Sequence, residues 1–175
     1  IRVGIRGKVS ANGGGWWVEG LTTIENSTIF GHSATVPGGG IYYSAGNLSL
    51  SNVSISGNVA SSGGGIYKDP DGATGGVSLR NPIVATNNIT TGLGPDCKGT
   101  LSSAGYNLIG NSTDCTMTSI TGDLFNVNPQ LGVYLPAQGY QPLIAGSPAV
   151  NTGNPATCLP TDQRGLSRVG TCDKG

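Results

Sequence analysis

Charge is scarce in this sequence: only 10% of its 175 residues are Asp, Glu, Lys or Arg, and nine of each sign cancel. That balance leaves no electrostatic footprint for nucleic acid or an anionic membrane surface, so neither is expected as a partner. Long apolar runs are missing as well. Nothing approaches the roughly 20 residues a spanning helix requires, so no membrane insertion is expected. The opening IRVGIRGKVS lacks the apolar stretch of a signal peptide, and the chain reads as mature or excised. Histidine occurs once, at His32, which is too little to argue a Ser-His-Asp set. No C-x-x-C pair exists among the four cysteines, which removes the common zinc and redox signatures. Sustained i, i+3, i+4, i+7 apolar spacing is absent too, and with it any helical reading.

What is abundant is glycine, with 31 residues, beside a modest 36% of hydrophobic residues. Such a composition would suit a disordered chain if its apolar residues were not regularly placed. They are. Three segments align: GGGWWVEGLTTIENSTIFG, GGGIYYSAGNLSLSNVSISG and GGGIYKDPDGATGGVSLRNPIV begin at Gly13, Gly38 and Gly63, a spacing of 25. Asn26, Asn52 and Asn81 fall in register, as do Ile29, Ile55 and Val84, and a looser fourth copy starts near Gly94.

Inside each copy, runs such as Leu48-Ser49-Leu50-Ser51 alternate with period two, the mark of a strand with one buried face. Strands this short gain stability by stacking on their equivalents about 4.8 Å away, which predicts an all-β, right-handed parallel β-helix of about 25 residues per coil. The glycine triplets are expected at corners where backbone is crowded or needs positive φ. The three asparagines are expected to form a ladder in a tight turn, their amides bonding turn backbone and one another. Residues 1–100 read as repeats. Residues 101–175, where the repeat dissolves and prolines gather, read as last rungs and an irregular, disulfide-stapled C-terminal cap of the same domain. Proximity favours Cys97 with Cys115 and Cys158 with Cys172 among three formal connectivities, and disulfides imply an oxidising compartment.

The string GGGIYYSAGNLSLSNVSISGNVASSGGGIY resembles the polymorphic-outer-membrane-protein and parallel β-helix repeats of large bacterial surface proteins. The runs GPDCKGTLSSAGYNLIGNSTDC and AGSPAVNTGNPATCLPTDQRG are similar to the C-terminal part of the choice-of-anchor Q family. Together these motifs cover most of residues 13–172. The resemblance implies a secreted or cell-surface β-helix, usually followed by a separate sorting or anchoring segment. The chain departs from that pattern after its last cysteine, where Asp173-Lys174-Gly175 replaces the family's Asp-Ile-Gly-Ala-Tyr-Glu stretch. It is therefore expected to have been cut or to be held by another route. The family brings no catalytic residues to transfer.

Parallel β-helices also host polysaccharide lyases and hydrolases, which need several carboxylates brought together. Candidates are few. Asp69 and Asp71 in KDPDG read as a turn, and Asp96, Asp114 and Asp123 as turn or cap residues. Asp162 and Arg164 read as a pair that fixes the cap, and His32, equivalent to Asn58, as a turn residue. No catalytic residue, metal ligand or cofactor is expected. Trp17, Tyr42 and Tyr67 are equivalent across three rungs beside Trp16, Ile41 and Ile66, so one column faces inward and the other can form a core-like stack or a surface strip for a sugar or protein. Sequons at Asn26, Asn47, Asn52, Asn88 and Asn111 are candidate glycosylation sites, though a chain rich in Asn, Ser and Thr produces them by chance. The function expected first is an extracellular structural or surface-display module, an adhesin part or filament subunit, able to self-associate end to end or to meet glycans and other surface proteins. A carbohydrate-binding module and a polysaccharide lyase or hydrolase are the alternatives.

Overall fold

The computed structural model describes residues 4–6, 9–10, 14–71 and 74–175. Gly13 and Gly72, which belong to the first glycine triplet and the KDPDG turn, lie outside the described residues, as do parts of the N-terminal strand sequence. All strand pairing between named strands is parallel, and the described residues contain no helix.

The strand Trp16–Phe30 pairs with Ile41–Ser56 over nearly its whole length, with a register shift between Val18 and Glu19. Ile41–Ser56 in turn pairs with Ile66–Lys68, Gly75–Arg80 and Ile83–Ala85, the pieces of the third rung. A fourth rung follows from Cys97–Thr100, Ser102–Ser103 and Leu108–Ile109. Cys115–Thr116 and Leu124–Phe125 add two further short pairings, so the coil persists past residue 101, where the visible repeat ends. On the N-terminal side, Gly4–Arg6 lies against residues 28–30 and Val9–Ser10 against Ser33–Ala34. The result is a parallel β-solenoid of about four turns.

The alternating pattern explains the core. Ile29, Ile55, Val84 and Ile109 occupy successive rungs of one column, and Ile24, Leu50 and Leu79 those of another. All seven side chains are fully buried. Burying each such residue stabilises the fold by roughly 1.5–3 kcal/mol, and the columns gain only when rungs stack. The glycine triplets divide their work. Gly38 and Gly63 take positive φ, whereas a Cβ on Gly39 would lie 2.3 Å from the Gly64 carbonyl oxygen of the next rung.

The alternation fails in one place, with consequences for the rest of the molecule. Residues 51–56 and 81–85 are buried without interruption, so this sheet has no wet face. Its outer surface is covered by the C-terminal segment. Ile83, Ala85 and Leu108 point away from the central core and pack with Ala149, Leu124, Val127, Leu131 and Leu143 in a second apolar cluster. The continuous runs Ile83-Val84-Ala85 and Leu108-Ile109 carry that signal, since a strand buried on both faces loses its polar alternation.

The C-terminal segment is irregular, and its cover reaches well beyond the last rung. Its atoms meet the first rung at Asn26 and Thr28, the second at Asn52 and Ser56, and the third at Asn81. Phe30 stacks on Tyr134 with ring centroids 4.2 Å apart. The segment is thus a strap laid along the side of the coil. Cys158–Cys172 closes a loop within it, and Cys97–Cys115 links two adjacent rungs, with Cα–Cα distances of 6.1 and 5.3 Å. Both pairings are those favoured by sequence proximity.

Candidate functional site

Asn26, Asn52 and Asn81 stand at equivalent positions in three rungs, each at positive φ (41°, 51° and 57°), a conformation asparagine tolerates better than most side chains. Their amides, however, turn to the strap and not to one another. Asn26 Nδ2 donates to the Thr161 carbonyl at 2.7 Å, and Asn26 Oδ1 accepts from Arg168 Nη2 at 3.2 Å. Asn52 Nδ2 donates to the Asp173 carbonyl, and Asn81 Oδ1 accepts the Asn154 N–H at 2.9 Å. The expected amide-to-amide ladder is corrected accordingly: the strap supplies partners that neighbouring rungs do not.

A true amide ladder lies a few residues further on. Asn58 Nδ2 donates to the Ile29 carbonyl and to Asn87 Oδ1, while Asn58 Oδ1 accepts the His32 N–H. Asn87 Nδ2 repeats the pattern on the Ile55 carbonyl and on Asp96 Oδ1, and Asp96 Oδ2 accepts the Asn111 N–H. All of these side chains are buried, His32 included, in the turn position equivalent to Asn58. Burial raises the Asp96 carboxyl above its usual range, and the N–H donors of Asn87 and Asn111 act against that shift. The period of 25 did not reveal Asn87, because added residues in the third rung move it to 29 after Asn58.

Four of the other acids, Asp69, Asp114, Asp123 and Asp162, also sit in structural bonds. Asp69 accepts from the Tyr42 hydroxyl and, through Oδ1, from the Asp71 N–H, the side-chain bond of a turn. Asp114 accepts the Gly94 N–H, and Asp123 accepts from Ser103, Asn107 and the Ile120 N–H. Asp162 binds Arg164 Nε at 2.7 Å and caps the N–H groups of Arg164 and Leu166. Partial burial pushes the Asp162 carboxyl up, but these bonds hold it below its ordinary value. Among the described residues no three His, Cys, Asp or Glu side chains converge in a way that could hold a metal ion.

Trp17, Tyr42 and Tyr67 form the outward column, and Ile41 and Ile66 the buried one beside it. Ring centroids are 4.4 Å apart for Trp17 and Tyr42 and 5.3 Å for Tyr42 and Tyr67, both pairs stacked. Lys98, next in register, lies over the Tyr67 ring. Tyr42 and Tyr67 are thus covered on both faces, whereas Trp17 is stacked on Tyr42 and stays 47% exposed. Burial, with the Asp69 bond second, pushes the Tyr42 hydroxyl up to about 12.

Of the sequons, Asn47, Asn88 and Asn111 are exposed. Asn26 and Asn52 are only 1% exposed and their amide nitrogens are committed to the strap, so a glycan on either is incompatible with this structure.

Between strap and coil a cleft of about 320 Å³ remains, lined among others by Asn26, Asn52, Ser54, Tyr140, Arg168 and Lys174. Arg168 was not singled out by sequence; it carries no motif, and only the strap's path brings it to Asn26.

No family model matches the chain, nor does any curated protein or solved structure. The resemblance to bacterial surface repeats therefore stands at the level of the fold, a β-solenoid. Two disulfides point to a non-cytoplasmic protein.

Proposed function

We propose that the chain is a secreted structural β-solenoid, a rigid module for display at a cell surface or within an extracellular filament, and that it carries out no catalysis. The observation that carries this reading is the strap. The longest irregular segment of the chain is engaged along three rungs and closed by its own disulfide, which favours rigidity over an open substrate groove. The acids point the same way, since the carboxylates of Asp69, Asp96, Asp114, Asp123 and Asp162 are each held in a turn, a ladder or an ion pair. Display in an oxidising, protease-rich setting suits a coil whose backbone amides are paired along the stack.

Limited proteolysis of the intact protein, with and without reductant, tests the reading. The oxidised protein should resist a broad-specificity protease and yield cleavage within residues 129–175 once reduced, and negative-stain electron microscopy should show short rods or fibres. Release of reducing or unsaturated sugars from a polysaccharide panel would overturn it, as would rapid digestion of the oxidised form throughout the coil.

A further inference from the structure

The corner that carries the internal asparagine ladder opens outward as a groove of about 530 Å³, with the buried Asn87 and Asp96 in its wall. Four exposed asparagines line it from successive turns of the coil. Asn88 belongs to the strand Asn88–Ile89, Asn111 follows Leu108–Ile109, and Asn126 and Asn128 follow Leu124–Phe125. All four hold their amides the same way round. The Oδ1 atoms of Asn88, Asn111, Asn126 and Asn128 accept the backbone N–H groups of Ile89, Thr113, Ser112 and Gln130 at 2.8–3.0 Å. Only the oxygen of an amide side chain can accept a backbone N–H, so these bonds fix which end is free. Among the described residues nothing accepts from any of the four Nδ2 groups.

The groove therefore meets a ligand chiefly with donors. Asp96 is the one ionisable residue in its wall, and its oxygens are taken by Asn87 and by the Asn111 N–H. An anion seated there would lie against that carboxylate, which favours a neutral acceptor. Rungs repeat about every 4.8 Å, close to the length one pyranose ring adds to a β-linked chain, so donors on successive rungs fall opposite successive rings. The volume lies within the ordinary span of ligand pockets, about 300–1,000 Å³, and admits two rings. A sugar hydroxyl can turn its proton to water while its oxygen accepts. A peptide strand, by contrast, brings a fixed N–H for every carbonyl to a wall whose asparagine oxygens are committed. Among neutral sugars, an acetamido group adds an amide carbonyl as acceptor and a methyl group for the half-buried ring of Pro95.

We propose that this groove binds a neutral acetamido sugar of two β-linked rings, its carbonyl and hydroxyl oxygens accepting from the amide nitrogens of Asn88, Asn111, Asn126 and Asn128. The site goes beyond the structural reading and does not depend on it, because a rigid display module with or without a filament would present the same groove. A glycan on the sequons at Asn88 or Asn111 would use up the same nitrogens, so the two uses exclude each other.

The test is calorimetry and ligand-observed NMR on the intact, oxidised protein with N,N′-diacetylchitobiose, against cellobiose and glucuronate. The expected result is saturable binding of the acetamido sugar at millimolar or lower concentration and at least tenfold weaker binding of the other two. The double variant Asn126→Asp, Asn128→Asp keeps an oxygen for the Ser112 and Gln130 N–H groups and replaces both donors, so binding should fall at least tenfold with an unchanged melting temperature. Asn88→Asp, whose one bond is to the next residue's N–H, should also weaken binding and serves should the double variant melt early. Asn47→Asp, exposed and outside the groove, should change nothing. No binding of the acetamido sugar by the parent protein, cellobiose or glucuronate binding as tight, binding that survives these groove substitutions, or a glycan found on Asn88 or Asn111 of the native protein would each overturn the proposal.

Discussion

Two asparagine ladders climb this solenoid, and they are completed in different ways. Asn58 and Asn87 pass their amides along the stack to the carbonyl and side chain of adjacent rungs, ending on Asp96. Asn26, Asn52 and Asn81 hold the same residue type at equally strict register, yet their bonds leave the coil for a segment at least 73 residues away in the chain. Equivalent spacing therefore fixes a position, and what lies outside the turn decides the role. The first ladder belongs to the repeat; the second is the seam on which the strap is sewn.

The difference is open to direct attack, and the largest effect is expected in the internal ladder. Asn58→Ala removes the side-chain acceptor of the His32 N–H and the amide donor to the Ile29 carbonyl and Asn87 Oδ1, all in a buried site. With each orphaned group costing about 1–3 kcal/mol, unfolding in urea should lose about 4 kcal/mol in all. Next comes the strap's own closure. Replacing Cys158 and Cys172 by alanine opens a loop of sequence separation 14 and should cost about 2–3 kcal/mol. Hydrogen exchange should localise the loosening to residues 149–175 and leave 41–56 protected; uniform loosening would mean that strap and coil are one cooperative unit. Asn52→Gly keeps the positive φ and removes only the side-chain bonds to the strap, so about 1 kcal/mol is expected. An Asn52→Gly loss equal to that of Asn58→Ala would erase the distinction between the ladders.

The smallest effect is in the pH dependence. Asp96 ends the internal ladder with a carboxyl raised by burial, so its proton is held more tightly in the folded state than in the unfolded one. Its contribution to stability is then complete below the ordinary carboxylate range and is lost as pH rises through the raised value. Urea midpoints should fall gently with rising pH across that window, and the slope should disappear in Asp96→Asn. A slope of opposite sign would show that the donors from Asn87 and Asn111 outweigh burial.

The coil was legible because its causes are local and repeated. A period of 25, alternating Leu48-Ser49-Leu50-Ser51 and glycine triplets each report a contact with the next rung, so one pattern states the same fact several times. The equivalence of Trp17, Tyr42 and Tyr67 followed from that period alone, and that of His32 and Asn58 from the same period with one added residue. The strap was not legible in its path. Each of its contacts is made once, such as Gln163 with Thr28 or Thr161 with Asn26, both between residues 135 apart, and no repetition announces it. Arg168 and the cleft were hidden for the same reason. The doubly buried sheet was a halfway case, written in Ile83-Val84-Ala85 but masked upstream by Val53-Ser54-Ile55-Ser56, whose serines look solvent-facing until Gln141 is found bonded to Ser56.

The crowded glycines also constrain how such a chain can lengthen over evolutionary time. Gly14 and Gly39 each leave only 2.2–2.3 Å between the place a Cβ would occupy and a carbonyl oxygen of the following rung, and Gly64 leaves 2.6 Å to that of Pro95. A duplicated fragment shorter than a full turn would set ordinary side chains against those oxygens, whereas copying a whole turn puts glycine over glycine again. Growth is thereby quantised. Stray additions survive between rung pieces that keep their register, as between Lys68 and Gly75, which pair with Tyr43 and Gly46, and the coil's length becomes a tally of complete copies.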